Sequence, residues 1–252
     1  ATLYYYCTNH SGMGSTANTP AAGGGVSNYD GVIPSAVNVN ATAGFSIVKY
    51  SGSAVNDNTV GHGLSQTPEL WITKCLTAAS TDWETFYTIV DGSVDFMRLN
   101  TDAVDGDSGR TAPTASVFYV GTGNNQGADG EDYVAYCWHS VEGYSKVGKY
   151  VANFIADGTF IYTGFKPAWI MIKNVDNVAN WVMQDNKISP TNPRDDVLLA
   201  DTDGAEADSS SYPIDILSNG FKMRNTGQGT NSAHTFLYLA FAESPFKTSN
   251  AR

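Results

Sequence analysis

Apolar and aromatic residues are gathered into short runs along the chain: "FSIVKY", "ELWIT", "SVFYV", "YVAYCW", "WIMIK", "WVM" and "FLYLAFA". Each is bounded by Gly, Pro, Asn or Asp, and each stops before a helix would become stable, so the pattern predicts strands. "GTGNNQGADG" and "NTGQGTNS" supply the positive-φ positions that hairpin loops require. "FLYLAFA" lacks polar alternation and is expected to lie centrally, covered on both faces. The predicted class is all-β: two similar antiparallel β-sandwich, jelly-roll-like units.

The same phrases recur in order, which points to an internal duplication of about 100 residues. "QTPELWITK" (66–74) reappears as "FKPAWIMIK" (165–173), each followed by a polar gap and a tryptophan, Trp83 and Trp181. The acidic loop 99–109 then matches 199–209, segment 114–123 matches 213–220, and "DYVAYCW" answers "FLYLAFAE". A pseudo-twofold between the copies is expected, with Pro68 and Pro167 marking strand starts, because proline tolerates the first ladder position. The predicted division is a terminal strand and loop at 1–13, a Gly/Pro/Asn-rich extended arm at 14–43, repeat 1 at 44–148 and repeat 2 at 149–252.

Charge narrows the partners. Twenty-five acidic residues face 14 basic ones, for a net charge of −11, and no Lys/Arg cluster is present to follow a phosphate backbone. Nucleic acid is therefore not an expected partner, and no apolar run approaches membrane-spanning length. The chain opens on Ala rather than Met, so further sequence is expected before it. Of the three cysteines, Cys75 and Cys137 lie in apolar runs where a thiol serves as a small hydrophobe.

Three constellations carry candidate chemistry. The matched acidic loops offer hard oxygen ligands for calcium, Asp102, Asp105 and Asp107 in one and Asp201, Asp203, Glu206 and Asp208 in the other, without a full twelve-residue calcium-loop pattern. Trp83, Trp138 and Trp181 are candidates for an apolar platform that binds a host surface glycan, against the alternative that tryptophans in β runs are core. Cys7, His10 and Met13, spaced Cys-x2-His-x2-Met, resemble the C-terminal copper-ligand loop of small blue-copper proteins, so residues 1–13 look like the end of a cupredoxin-like unit. That set lacks its second histidine, and His62, His139 and His234 are expected to be structural or surface residues. No nucleophile elbow is present, and no enzymatic activity is expected.

The phrases "GFSIVKYSG", "TVGHGLSQTPELWITK", "DYVAYCWHSVEGYSKVGKY", "FIYTGFKPAWIMIKN", "YPIDILSNGFKMRN" and "LAFAESPFKTSNAR" resemble a family of duplicated β domains in structural proteins of tailed bacteriophages, often marine ones. The resemblance covers residues 44–252. It implies a virion-surface or extracellular location, in a tail fibre or a capsid decoration, contact with other virion proteins, and homo-oligomers, typically trimers. A host-glycan adhesin and a subunit of a non-viral extracellular filament are the alternatives. The arm at 14–43 is expected to dock across a neighbouring subunit.

Overall fold

The computed structural model describes the backbone of residues 2–6 and 14–18 and the chain in full over residues 25–245. Among the described residues there is no helix. β1 (Thr2–Tyr6) and β2 (Gly14–Asn18) pair with each other. The first unit contains β3 (Val26–Asn28), β4 (Ser35–Asn40), β5 (Phe45–Ser51), β6 (Asn58–Gly61), β7 (Leu70–Cys75), β8 (Glu84–Tyr87), β9 (Asp95–Arg98), β10 (Gly106–Asp107), β11 (Val117–Val120) and β12 (Asp132–Trp138). The second contains β13 (Ser145–Val151), β14 (Phe160–Tyr162), β15 (Pro167–Asn174), β16 (Val182–Asp185), β17 (Asp196–Leu199), β18 (Ala207–Asp208), β19 (Ile214–Leu217), β20 (Gly220–Met223) and β21 (Thr235–Ala242).

Each unit sets a large antiparallel sheet against a small one. The first large sheet runs β10-β9-β8-β7-β12-β5-β4-β3 and is faced by β11-β6; the second runs β13-β21-β15-β16-β17-β18 and is faced by β14-β20-β19. The series β5-β12-β7-β8-β9-β10 and β13-β21-β15-β16-β17-β18 thus follow one order, with the same sequence polarity. Strand alternation explains the layers. In β12, Tyr133, Ala135 and Cys137 are buried while Val134, Tyr136 and Trp138 are half-buried on the opposite face. The inward set joins Val48, Tyr50, Trp71 and Phe118 in one core, and Tyr150, Ile172, Phe221 and Phe236 centre the corresponding core of the second unit. A third apolar layer joins the backs of the two large sheets, with Leu70, Ile72 and Met97 from one and Met171, Leu237 and Leu239 from the other. The expectation for "FLYLAFA" holds, because β21 sends Phe236 and Tyr238 into its own core and Leu237 and Leu239 into the shared layer.

Side-chain geometry follows the strand order. Tyr50 stacks on Tyr133 at 5.3 Å, meets Phe118 edge-on at 5.8 Å and donates its hydroxyl to the Gln126 carbonyl at 2.8 Å. Tyr150 stacks on Phe236 at 5.0 Å, meets Phe221 edge-on at 6.3 Å and donates to the Thr230 carbonyl at 2.6 Å. Burial raises both tyrosine pKa values well above the ordinary range. Behind the sheets, Lys74 lies 5.8 Å over Trp83 and Lys173 lies 6.0 Å over Trp181. The Trp83 amide donates to the Asn100 side chain, which bonds Asp82, whereas the Trp181 amide donates to Asp201, which bonds Asn180. Asn100 in one unit and Asp201 in the other make equivalent contacts. Packing is exchanged: Val48 lies opposite Ala135, while Gly148 lies opposite Tyr238 and makes room for its ring. A Cβ at Gly148 would meet that ring at 2.5 Å.

Four expectations are corrected. Residues 26–40 are not an arm: β4 pairs along β5 and β3 along β4, with Ser35 and Val37 buried. Their small side chains still form a ladder when a neighbouring strand supplies its partners. β13 belongs wholly to the second sheet, so the boundary at 148 cuts through a strand. Segment 114–123 corresponds to β20 rather than to residues 213–220, since β11 pairs with β6 as β20 pairs with β14; β19 is an added strand. Finally, the shared layer is not strictly twofold, because beyond matched positions such as Ile72 and Met171 burial differs between the units: Met97 is 1% exposed but Leu198, at the matching place, is 40% exposed.

Candidate functional site

The short edge strands place carboxylates directly opposite one another in both units. β10 sets Asp107 across from Asp95, and β18 sets Asp208 across from Asp196. Like charges facing across a ladder are unfavourable, so the same cost occurs at the same place twice. Asp95 is only 4% exposed. Burial first, then the neighbouring Asp105 carboxylate, raises its pKa to about 6; Asp91 and Asp107 add to the rise, and the Ser93 hydroxyl opposes it. Ser93 Oγ lies 2.6 Å from Asp91 Oδ1 and 3.1 Å from Asp95 Oδ1. The Tyr87 hydroxyl donates to Asp105, whose own pKa is raised chiefly by burial.

In the second unit Asp195, Asp196 and Asp208 each bring a carboxylate oxygen within 4.8 Å of the others. Ser189 Oγ donates to Asp196 Oδ2 at 2.6 Å and accepts the Asp196 amide at 3.1 Å. Three convergent carboxylates at a strand edge have the donor chemistry of a site for calcium or another hard divalent cation.

Of the acidic residues expected from sequence, Asp105 and Asp107 come together with Asp95, and Asp208 with Asp195 and Asp196. The others serve elsewhere. The Asp102 carbonyl accepts Lys173 Nζ at 2.8 Å, Asp201 caps the Trp181 amide at 2.9 Å, and Asp203 and Glu206 are exposed. Asp91, Asp95, Asp195 and Asp196 lie outside the two acidic loops, at or just before the strands with which those loops pair. Nothing in "SVDF" or "RDDV" alone marks these acids, because strand register sets the pairing.

A platform of Trp83, Trp138 and Trp181 is not formed. Trp181 is 1% exposed, and its indole N–H donates across the unit boundary to the Arg98 carbonyl at 2.9 Å. Trp83 and Trp138 are half-buried beside the shared layer, both stacked on Tyr136. The histidines brace turns: His62, buried, accepts the Leu64 amide at 3.0 Å and lies 3.2 Å from the Thr114 carbonyl, and burial lowers its pKa. His139 Nδ1 lies 3.0 Å from the Ser140 carbonyl, and His234 Nδ1 lies 3.0 Å from Ser232 Oγ. Cys75 and Cys137 are buried free thiols, and burial pushes Cys137 up to about 12. An open groove of about 360 Å³ runs along β13, lined by Ile89, Lys146, Gly148, Phe160 and Tyr162, with Lys146 5.9 Å over Tyr162. Cys7, His10 and Met13 lie outside the described residues.

Comparison with curated proteins and with solved structures finds no match. The sequence profile of the family described as a domain of unknown function (DUF7483) matches residues 8–245, nearly the whole chain, and the chain belongs to that family.

Proposed function

We propose that the protein is a non-catalytic structural component of a bacteriophage virion, displayed as part of a tail fibre or as a surface decoration, and that it acts by assembly. The observation that carries the scaffold role is the joining of two sandwiches of one strand order through a buried apolar layer, which adds a third core to the two of the units. The recurrence of the Tyr50 and Tyr150 contacts, the Lys–Trp pairs and the opposed carboxylates supports descent of both units from one copied ancestor. The virion setting rests on the resemblance of residues 44–252 to phage structural domains. In support of a role without turnover, both ring nitrogens of buried His62 are engaged in bracing loops. The glycan-adhesin alternative loses its platform with Trp181 in the core.

The test is immunogold labelling of purified phage particles with an antibody raised against the chain. Label on fibres or on the capsid surface is expected. Particles that lack the chain, while it accumulates in a non-viral extracellular filament, would overturn the virion assignment.

A further inference from the structure

The layer between the two large sheets joins offset parts of their backs, and that offset leaves two flanks unmatched. Ladder positions define the correspondence. Tyr50 lies opposite Tyr133 and Tyr150 opposite Phe236, so Ile47 corresponds to Val147. Cys75 lies opposite Tyr133 and Asn174 opposite Phe236, so Leu76 corresponds to Val175. Thr85 lies opposite Met97 and Met183 opposite Leu198, so Met97 corresponds to Leu198.

The first unit commits β7, β8 and β9 to the shared layer: Leu70, Ile72, Tyr87 and Met97 are 0 to 6% exposed. The second unit commits β13, β21 and β15, overlapping the first set only at the equivalent strands β7 and β15; Val147, Leu237, Leu239 and Met171 are 1 to 5% exposed. A twofold contact would bury the same positions in both units; this contact shares a central strip, where Ile72 corresponds to Met171 and Trp83 to Trp181, and beyond it buries Met97 in the first unit but Val147 and Val175 in the second.

Each unit therefore leaves open a flank whose equivalent the other buries. Ile47 is 37% exposed where Val147 is 3%, Leu76 is 54% exposed where Val175 is 3%, and Leu198 is 40% exposed where Met97 is 1%. Three large apolar side chains standing in solvent are thus the counterparts of three sealed inside the internal contact.

The polar ties follow the same logic. Inside the chain, Lys173 Nζ donates to the Asp102 carbonyl at 2.8 Å, the Asp105 amide to the Val175 carbonyl at 3.2 Å, and Trp181 Nε1 to the Arg98 carbonyl at 2.9 Å. Their counterparts are Lys74, Leu76 and Trp83 on the first unit and loop 199–206 on the second. That loop carries Asp201, Asp203 and Glu206, complementary in charge to Lys74. β4 extends the first face beyond β5 with Ala36 and Asn38, side chains too small to block an approaching sheet.

We propose that copies of this chain assemble head to tail by repeating the internal contact: the β16–β17 face and loop 199–206 of one copy seat on the β5–β12 face and the 74–83 turn of the next. The partner is a second copy of this chain. Such a heterologous contact closes into a ring where its rotation divides a circle and otherwise runs on as a filament. The inference names the partner in the scaffold role proposed above and rests on that role.

The test is sedimentation velocity on the full chain over a concentration series, with Ile47→Asp and Leu198→Asp as variants. Both positions are surface-exposed, and unchanged circular dichroism and melting verify folding. The wild type is expected to form larger species as concentration rises, and each variant alone to run as a monomer. Their equimolar mixture is expected to form a one-to-one dimer and nothing larger, because each variant retains the face the other has lost. A monomeric wild type, variants that associate like wild type, or a mixture that remains monomeric would overturn the proposal. Particles without the chain, alongside intact self-assembly of the purified protein, would reject the virion setting and leave the head-to-tail contact standing.

Discussion

Replacing Asp95 by Asn should stabilise the protein at neutral pH, and the gain should disappear in acid. Asp95 is 4% exposed and faces Asp107 across the ladder. Burial, with Asp105 as the next contributor, lifts its pKa to about 6, against an ordinary carboxyl value near 3.9. Each pH unit between the two values is worth about 1.4 kcal/mol, so the ionised side chain costs the fold up to about 3 kcal/mol. The sign follows from the raised folded value. Below about pH 4 the group is protonated in both states and the penalty is absent; it grows as pH rises from about 4 to about 6 and is complete above that. Asparagine retains an acceptor for Ser93 and removes the charge. Urea unfolding at a fixed protein concentration, which holds any assembly constant, should therefore show Asp95→Asn more stable by about 1 to 3 kcal/mol at pH 7.5. At pH 4 the two proteins should be within about 0.5 kcal/mol of each other. A variant no more stable than wild type at pH 7.5, or a gain that does not change with pH, would refute the reasoning.

Millimolar calcium should raise the melting temperature of the wild type, and the effect should be lost when Asp95 and Asp196 are both changed to Asn; calorimetry showing no calcium response in the wild type would remove cations from the account. Gly148→Val should cost about 1 to 3 kcal/mol, because its side chain enters the Tyr238 ring, and adding Tyr238→Ala should recover part of that loss by recreating the Val48–Ala135 arrangement. Purely additive losses in a chemical-denaturation cycle would break the correspondence between the units. Cys137, with its thiol pushed up to about 12 by burial, should resist a thiol-titrating disulfide reagent in the native protein and react fully in denaturant; native reactivity at Cys137 would contradict its place in the core.

The strands were legible because their side chains are bulky and their boundaries are sharp. β15 begins at Pro167 as proline chemistry requires, and the unbroken apolar run of β21 announced two covered faces. β3 and β4 were not legible, since "VSN" and "SAVNVN" owe their strand character to the ladder offered by β5. The acidic loops drew attention for the right chemistry with the wrong partners. Sequence places Asp102 beside Asp105, but ladder register joins Asp107 to Asp95 and Asp208 to Asp196, and no local spacing encodes such a pairing. The burial of Trp181 was hidden for a similar reason: the Arg98 carbonyl that receives its indole N–H lies in the other unit.

The head-to-tail relation between copies is most directly tested by an experimental structure of the assembled protein. The rotation and translation that carry Tyr50, Tyr133 and Phe118 onto Tyr150, Phe236 and Phe221 within one copy should also carry the second unit onto the first unit of the next copy. Copies joined instead through a twofold, with identical residues meeting across the contact, would contradict the account.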